Sequence, residues 1–340
     1  MLVGLAYDMR QDYLNLGYSL EETAEFDKEE TISGIEKTLG ELGYETNRIG
    51  NIWQLIKRLN AGDRWDLVFN IAEGLHGIGR EAQVPAILDA YNIPYTFSDP
   101  LILSLTLHKG MTKRVVRDLG VPTSDFVEIK SEDEIMKVIL PFPLFVKPIA
   151  EGTGKGINSF SLVHKMDQLY TAVTNLLRAY NQPVLVETYL PGREYTVGII
   201  GTGDRAKAIG TIEVILKNSA EENAYTYENK EYYEDRVAYI PVSDEAKKRA
   251  EEVALAAWRG LGCMDAGRVD LREDMNGVPN FIEVNPLAGI NPTHSDLPIL
   301  SRLHGIDYKQ LIAMIMEEAI KRLNNRLMID YSVAPKVRAL

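Results

Sequence analysis

The sequence predicts an α/β protein whose N-terminal part is a doubly wound parallel sheet. Short apolar runs alternate with segments of helical periodicity over the first hundred residues, which is typical of parallel strands joined by helices. Near the C-terminal end, two strand-like runs flank a cluster of turn-forming residues, which favours an antiparallel hairpin. The length of 340 residues exceeds what one hydrophobic core usually serves, so two or three domains are expected.

The first hundred residues contain two predicted strands and two predicted helices. The strands are residues 2–7 and 65–70, and the helices are residues 29–42 and 83–91. Ligands gather at the carboxyl ends of parallel strands. Asp8, Asn70, Glu73 and Gly74 are therefore expected near a binding cleft, and a loop role without a ligand is the alternative for each.

A further helix is predicted within residues 101–125, and a strand at 142–148 carries Lys147 near its end. The next segment is Glu151-Gly152-Thr153-Gly154-Lys155-Gly156-Ile157. Its three glycines allow a sharp turn that presents N–H groups to phosphate oxygens. The order differs from a Walker A loop, and a plain hairpin is the alternative interpretation. Lys147, just upstream of this segment, favours the phosphate-binding interpretation.

Two more strands, residues 184–190 and 193–199, are joined by Pro191-Gly192. A strand that leads out of a cleft can offer backbone groups to an adenine, and a glutamate at its end can accept from ribose hydroxyls. Glu187 and Glu194 suit these tasks. Residues 245–261 and 308–323 have helical periodicity and are interpreted as packing helices.

The hairpin consists of Gly267-Arg268-Val269-Asp270-Leu271 and Phe281-Ile282-Glu283-Val284-Asn285-Pro286. Alternation places Arg268 and Asp270 on one strand face, and Glu283 and Asn285 on one face of the next. Carboxylate and amide oxygens are the ligands that Mg²⁺ prefers, together with phosphates. The pattern therefore predicts a metal–nucleotide site. The alternative is a set of polar residues facing water, but the apolar residues around them favour a position near a core.

Composition excludes several classes of protein. A net charge of -12 and a pI near 5.1, without a basic segment, argue against a nucleic-acid partner. The single cysteine, Cys263, excludes a disulfide framework within the chain. The sequence shows neither a signal-peptide pattern nor a window approaching the ~18 apolar residues of a membrane span, so no membrane association and a cytoplasmic location are expected.

An ordered set of motifs resembles the ATP-grasp superfamily and, within it, the D-alanine:D-alanine ligase family. The motifs run collinearly from about residue 65 to the C-terminal helix: Phe69-Asn70, Ile93-Pro94-Tyr95-Thr96, His108-Lys109, Val146-Lys147-Pro148, the glycine-rich segment 151–156, Val186-Glu187, Gly192-Arg193-Glu194-Tyr195-Thr196-Val197, Arg268-Val269-Asp270 and Glu283-Val284-Asn285. The order of these motifs along the chain is more specific to the family than any single motif.

The resemblance implies an ATP-grasp fold in three parts. These are an N-terminal α/β domain (residues 1–100), a central subdomain (101–190) and a C-terminal subdomain (191–340) that carries the metal and substrate site. ATP would lie between the last two, and this ATP-binding part would be α+β. A homodimer is expected from the same resemblance.

The resemblance also implies roles for individual residues. ATP would contact Lys109, Lys147, Glu151, Glu187, the backbone of Thr188 and Leu190, Glu194 and Lys230. Two Mg²⁺ ions, or Mn²⁺ in their place, would be bound by Asp270, Glu283 and Asn285. The catalytic set would be Thr153, Lys230, Arg268 and Gly289. Amino-acid or peptide substrates would contact Glu73, His294 and Ser295.

The implied activity is that of an ATP-dependent, ADP-forming carboxylate–amine ligase that joins amino acids or short peptides. The γ-phosphoryl group of ATP activates a carboxylate as an acyl phosphate, and an amine then displaces phosphate. A closing loop should keep water away, and residues 217–239 are the candidate. The alternatives are D-alanine:D-alanine ligase proper, a nucleotide-binding relative without catalysis, and a carboxylase or kinase-like member.

Several departures from the family pattern concern the substrates. Glu73-Gly74 stands where the family carries a histidine–glycine pair, and the loop after Asn285 is longer by one residue. The family's N-terminal glutamate that holds an amine has only candidates here, Glu25 and Asp27. The acidic residues Glu73, Glu81 and Glu231 suggest the hypothesis of a substrate with an extra amine.

Overall fold

Three β-sheets and the helices packed on them organise the chain. The computed structural model describes the backbone of residues 1–216 and 237–333, and side chains within residues 1–215 and 237–324. The candidate closing loop falls almost wholly outside these ranges, and Lys230 and Glu231 lie outside them. No helix of the described ranges combines the length and apolar character that a membrane crossing requires.

The N-terminal sheet is parallel, with strand order β2-β1-β3. Its strands are β1 (Leu2–Ala6), β2 (Glu45–Gly50) and β3 (Leu67–Asn70), and its helices are α1 (Arg10–Asn15), α2 (Glu29–Glu41), α3 (Ile52–Asn60) and α4 (Gln83–Ala90). Successive strand residues Leu5 and Ala6 enter different cores, one containing residues of α2 and the other residues of α3 and α4. Helices therefore cover both faces, and the predicted doubly wound sheet is confirmed.

Strand β2 and helix α3 were not predicted. β2 is a polar, largely part-exposed strand, so its sequence lacks a clear apolar alternation. Asn51 caps the start of helix α3. Its side chain accepts from the backbone of Gln54, and the Gln54 side chain accepts from the backbone of Asn51. This capping box is a sequence signal that could have located the helix start.

The helix predicted within residues 101–125 is two helices, α5 (Pro100–Leu107) and α6 (Lys109–Asp118). His108 separates them with a ψ of 89°, and its side chain caps α6 by accepting from the Met111 amide. The break makes Lys109 the first residue of α6. Both helices contribute residues to the core of the C-terminal sheet.

The central sheet has the order β4-β7-β5-β6 and is antiparallel throughout. Its elements are β4 (Phe126–Ile129), β5 (Leu144–Pro148), β6 (Leu162–Val163), β7 (Val184–Thr188) and helix α7 (Met166–Tyr180). Leu169 and Val173 of α7 pack against Val146 and Val186.

The C-terminal sheet has the order β10-β9-β8-β11-β12 and is also antiparallel. Its strands are β8 (Glu194–Ile200), β9 (Lys207–Leu216), β10 (Val237–Pro241), β11 (Ala266–Glu273) and β12 (Pro279–Asn285), with helices α8 (Glu245–Leu261), α9 (Asp296–Leu303) and α10 (Tyr308–Val333). The predicted hairpin is confirmed as β11–β12. Strands β7 and β8, although joined by Pro191-Gly192, belong to different sheets, so a cleft lies between the sheets at this connection.

Candidate functional site

The β11–β12 hairpin brings four polar side chains together. Arg268 lies opposite Asn285, and Asp270 lies opposite Glu283. Directly opposed residues have Cβ atoms about 5 Å apart. The Asp270 carboxylate accepts from Thr196 Oγ1 at 2.9 Å and from the Asn285 amide nitrogen at 3.5 Å. Two carboxylates, an amide and a guanidinium thus share one surface of the hairpin.

Arg268 is a largely buried cation surrounded by acids. Its guanidinium contacts Asp270, and its Nε lies 3.7 Å from Asp296 Oδ2. Burial alone would lower the pKa of Arg268, but Asp270, Asp296 and Glu283 outweigh it and raise that pKa above its ordinary value. The side chain therefore supplies a permanent positive charge at the hairpin.

Lys109 faces the same hairpin from the start of helix α6. Its Nζ lies 3.2 Å from Glu283 Oε2 and donates to the Glu151 carbonyl at 2.6 Å. One ammonium group therefore links the hairpin to the first residue of the glycine-rich segment. The break at His108 makes this possible because it turns the chain before α6 begins.

The hairpin donors fit a divalent cation bound together with phosphate. Mg²⁺ takes one or two protein carboxylates and completes its shell with water and phosphate oxygens. Asp270, Glu283 and the Asn285 side-chain oxygen supply a set of this kind. Within the described residues no three His, Cys, Asp or Glu side chains converge as an all-protein metal cage. Both carboxylates already contact cationic side chains, Asp270 that of Arg268 and Glu283 that of Lys109.

A second group of charges lies deeper, between helix α6 and the central sheet. Lys147 Nζ lies 2.6 Å from one Glu187 oxygen, and Lys113 Nζ lies 2.5 Å from the other. Lys113 also donates to Ser124 Oγ at 2.7 Å. All three charged side chains are nearly inaccessible. Lys113 is not among the residues that the sequence predicts for the site, because its partner lies 74 residues further along the chain.

The pKa values of this group follow from burial opposed by pairing. Burial would raise the pKa of Glu187, but the two lysines outweigh it and hold it at about 2. Burial lowers the pKa of Lys113 to about 8 despite the carboxylate beside it. Burial would also lower the pKa of Lys147, but Glu187 and then Glu283 raise it. At neutral pH the group is mainly ionised and carries a net positive charge.

The glycine-rich segment forms a tight loop between β5 and β6. Thr153, Gly154 and Gly156 all have left-handed φ angles, of 49°, 73° and 75°. Within the described residues, the amides of Thr153 and Gly154 have no acceptor. Consecutive N–H groups in such a turn form an anion-binding concavity. The loop geometry therefore suits phosphate oxygens.

The loop is also tied to the N-terminal part of the chain. The Gly152 amide donates to Glu25 Oε1 at 2.7 Å, and the same carboxylate accepts from Arg80 at 2.8 Å. Lys155 Nζ lies 2.5 Å from Glu151 and 3.5 Å from Glu25. Burial would raise the pKa of Glu25, but Arg80 and Lys155 outweigh it, so the pKa is lowered.

Two neighbouring cavities meet at these residues. The hairpin cavity lies between the central and C-terminal sheets and includes Lys147, Glu187, Leu190, Glu194 and Asp270 in its lining. The N-terminal cavity lies between the loop, the N-terminal residues and the segment after β12. Both cavities are lined by Lys109, Glu151, Gly152, Arg268 and Glu283. The shared residues include two cations and one of the hairpin carboxylates.

Most of the residues expected at the site lie at one of the two cavities. Thr188 lines the hairpin cavity, and Glu73, Thr153, Asn285, Gly289, His294 and Ser295 line the N-terminal cavity. Glu25 and Asp27, the two candidates for an amine-holding acid, also line the N-terminal cavity. Lys230, which is expected to contact ATP and to take part in catalysis, lies outside the described residues.

Three residues expected near a cleft at strand ends do not line either cavity. Asp8 is buried and accepts from Tyr13 Oη at 2.5 Å and from the Gly74 amide at 2.9 Å. Asn70 is buried, and its side-chain oxygen accepts from the Ala72 amide at 3.3 Å. These residues order the connection after β3, and of the four only Glu73 reaches a cavity.

Two sequence comparisons relate the chain to known proteins. Residues 115–317 match the family model described as D-ala D-ala ligase C-terminus. The chain is 33% identical over 297 residues to D-alanine–D-alanine ligase of Bordetella avium, covering 86% of this chain and 89% of that protein. It is 31% identical over 288 residues to the Aquifex aeolicus enzyme of the same name, covering 84% and 93%.

A solved structure shows the same fold. D-alanine–D-alanine ligase from Bacillus anthracis, complexed with ATP, superposes with a TM-score of 0.72 at 22% sequence identity. The superposition covers 96% of this chain and 99% of that one. All three sheets of the chain therefore fall within a known architecture.

Proposed function

Since the chain belongs to the D-alanine–D-alanine ligase family of the ATP-grasp superfamily and is an ATP-dependent carboxylate–amine ligase, we propose that it joins two amino acids, or an amino acid and a short peptide, with release of ADP and phosphate. The observation that carries the proposal is the junction of the two cavities. A nucleotide in one and a substrate carboxylate in the other would meet at Lys109, Arg268 and Glu283.

In this proposal ATP occupies the hairpin cavity between the central subdomain (residues 101–190) and the C-terminal subdomain (191–340). The backbone of Thr188 and Leu190 would meet the adenine, and Glu194 the ribose. Glu187 would lie near the adenine. Its carboxylate would also hold Lys147 in place, which their 2.6 Å contact supports. The phosphates would then extend toward Glu151 and the shared residues.

The first step would activate a carboxylate. A carboxylate oxygen attacks the γ-phosphorus of ATP, the bond from that phosphorus to the β,γ-bridging oxygen breaks, and ADP leaves with the bond electrons. The products are an acyl phosphate and ADP. Lys109 and Lys147 offset the charge on the transferring group, and the free amides of Thr153 and Gly154 donate to its oxygens.

The second step would form the amide. The lone pair of a neutral amine attacks the acyl carbon, and the resulting oxyanion is stabilised by Arg268 and by the backbone N–H near Gly289. The carbon–oxygen bond to phosphate then breaks, phosphate leaves and the nitrogen loses a proton. His294 and Ser295 line the cavity where the carboxylate of the amine substrate would lie. Glu73 lies in the same cavity.

Mg²⁺ fits this scheme through Asp270, Glu283 and Asn285, where two ions, or Mn²⁺ in their place, would be held. When bound, the metal neutralises phosphate charge and orients the transferring group. Lys230, which lies outside the described residues, is proposed for the same phosphates by family resemblance.

The test is ADP formation by the purified full-length protein with Mg-ATP and a panel of single and paired D- and L-amino acids, with mass analysis of products. We expect ADP release that depends on an amine and a product one water lighter than its two components. D-Alanyl-D-alanine as the sole product would identify the enzyme as D-alanine:D-alanine ligase proper. A stable phosphorylated product would contradict a ligase and favour a kinase-like reaction.

Arg268→Lys provides the matched variant, with Arg259→Lys on helix α8 as the control. Arg268 faces both cavities, whereas Arg259 donates to the Ala206 carbonyl. We expect the first substitution to lower kcat about a hundredfold, since loss of an oxyanion donor costs that order of rate. Arg259→Lys should retain activity. Equal effects of the two substitutions would remove Arg268 from the chemical step.

A further inference from the structure

The N-terminal cavity contains three glutamates from the N-terminal part of the chain, and only one of them is compensated. Glu25, Glu73 and Glu81 all line this cavity. Glu25 has a complete set of partners in Arg80, Lys155 and the Gly152 amide. The negative charge of Glu25 is therefore balanced by groups of the protein itself.

Glu73 and Glu81 lack such partners. Across the described part of the chain, no side chain or backbone donor forms a hydrogen bond or ion pair with either carboxylate. Arg80 lies next to Glu81 in sequence, but its terminal nitrogens donate to the Ala150 carbonyl at 2.9 Å and to Glu25 at 2.8 Å. Two acids at little exposure are thus left to interact with the contents of the cavity.

The cavity also contains an unmatched donor. Arg10 lines it, and the Nε–H of Arg10 is buried without an acceptor in the described residues. Its Nη2 already donates to the Ala24 carbonyl at 2.5 Å. Buried donors are normally paired. The α-carboxylate of an amino acid is the acceptor that a cavity of a carboxylate–amine ligase is expected to receive.

A buried carboxylate is stable when a cation offsets its charge. An amino acid with an uncharged side chain brings one ammonium group, its α-amine, which can pair with one of the two acids. The second acid would have no cation beside it and would stay protonated, as an unpaired buried carboxyl group does. A substrate with two ammonium groups would satisfy both.

We propose that the amino acid bound beside Glu73 and Glu81 is a diamino acid, whose α-ammonium and side-chain ammonium groups are recognised by these two carboxylates. This inference rests on the proposed function, because it identifies the N-terminal cavity as an amino-acid site. Charge-assisted hydrogen bonds of this kind contribute enough to separate a diamino acid from its neutral analogue by tenfold to about a hundredfold.

The experiment compares diamino acids, from 2,3-diaminopropionate to lysine, with neutral amino acids in which a methyl group replaces the side-chain ammonium. Both enantiomers of each are used. Binding to the full-length protein is measured by calorimetry with a non-hydrolysable ATP analogue, and kcat/KM is measured by ADP release. The variants are Glu73→Gln and Glu81→Gln, which keep side-chain shape. Glu252→Gln, an exposed position on helix α8, is the matched control.

We expect at least one diamino acid to exceed its neutral analogue by about tenfold or more in affinity and kcat/KM. Glu73→Gln and Glu81→Gln should each reduce this ratio by about tenfold, and Glu252→Gln should not change it. A ratio near one in the wild type, or a ratio equal in all variants, would overturn the inference.

The two proposals fail differently. ADP release with neutral amino acids and no preference for diamino acids would overturn the diamino-acid inference and leave the ligase proposal standing. Selective binding of a diamino acid that is lost in Glu73→Gln, without ADP release from any pair, would support the recognition site and contradict the proposed reaction. Absence of both binding and turnover of every diamino acid would overturn the inference.

Discussion

Lys113 keeps an ammonium group in the protein interior through contact with Glu187, 74 residues further along the chain. Glu187 in turn holds Lys147, which we propose to contact the ATP phosphates, so the position of Lys147 depends on a cation that lines neither of the two cavities. Burying charges is costly unless each has a partner and further hydrogen bonds. Ser124 Oγ, 2.7 Å from Lys113 Nζ, supplies one of these bonds.

Replacing Lys113 by methionine should therefore destabilise the protein and weaken ATP binding. We expect a loss of about 3 kcal/mol in the free energy of unfolding, at the lower end for a broken buried pair because Lys147 still contacts Glu187. The KM for ATP should rise as Lys147 loses its fixed position. Urea denaturation and ADP-release kinetics measure the two effects. Lys137→Met, at an exposed position, is the control and should change stability by less than about 0.5 kcal/mol.

Glu81 should make the stability of the unliganded protein depend on pH. Burial, and then Glu25 and Glu283, raise the pKa of Glu81 from 4.5 to about 8, against the lowering effects of Arg80 and Lys109. A raised carboxyl pKa means that the folded state retains a proton that the unfolded chain has released. Its contribution to stability is therefore complete below about pH 4.5 and is lost as pH rises through about 8.

Glu81→Gln removes this titration. We expect the wild type to lose on the order of 3 kcal/mol relative to the variant between about pH 5 and about pH 9. Urea denaturation of both proteins at several pH values gives the comparison. Parallel pH profiles for the two proteins would contradict a protonated Glu81 in the folded state.

At the scale of elements, the glycine-rich loop is held by packing on both sides. A Cβ atom at Gly156 would lie 2.5 Å from Pro148 Cγ and 3.0 Å from the Tyr180 ring, and the φ angle there is 75°. The position thus combines a left-handed backbone with close neighbours on β5 and α7. Gly43, after helix α2, has a φ of 88° but open space around it.

Alanine substitutions at these two glycines distinguish the cost of backbone strain from the cost of close packing. Gly43→Ala should cost about 1 kcal/mol of stability through the left-handed conformation alone. Gly156→Ala should cost about 3 kcal/mol and raise the KM for ATP, because the added methyl group displaces the loop. Thermal denaturation and ATP kinetics of both variants are the measurements. A Gly156→Ala protein as stable as Gly43→Ala would show that the loop repacks freely.

At the scale of the whole molecule, a buried ion pair near the C-terminal end also forms hydrogen bonds to the N-terminal part of the chain. Arg322 of α10 lies 2.8 Å from Asp265 Oδ2 and donates to the Tyr95 carbonyl at 2.7 Å. Asp265 also accepts from the Phe97 amide at 2.8 Å. Residues from three distant stretches of sequence therefore meet at one carboxylate just before strand β11.

Asp265→Asn should loosen this connection without changing side-chain size. Removing the carboxylate charge leaves Arg322 partly unpaired in a buried position, and we expect a loss of about 3 kcal/mol in the free energy of unfolding. Asp204→Asn, at an exposed turn, is the matched control and should have little effect. Urea denaturation monitored by circular dichroism gives both values. A loss below about 1 kcal/mol would mean that Arg322 finds other acceptors.

Sequence patterns predicted those features that depend on neighbouring residues. Helix α8 has its predicted bounds because Asp244 caps its start and Gly262 ends it, and the β11–β12 hairpin follows from simple alternation. The pairing of Lys113 with Glu187 and of Glu25 with Gly152 could not be predicted in this way. Each joins residues separated by 74 or 127 positions, and nothing local marks a buried lysine or a bound glutamate.

In the proposed function, the bond from the Gly152 amide to Glu25 would couple amino-acid binding to nucleotide binding. A ligand that draws Glu25 away releases this amide and the loop that carries Thr153 and Gly154. A nucleotide that moves the loop would likewise break the bond between the Gly152 amide and Glu25. Thermodynamic linkage then requires that the amino acid change the affinity for ATP by the same factor as ATP changes the affinity for the amino acid. The order in which the substrates bind cannot alter that factor.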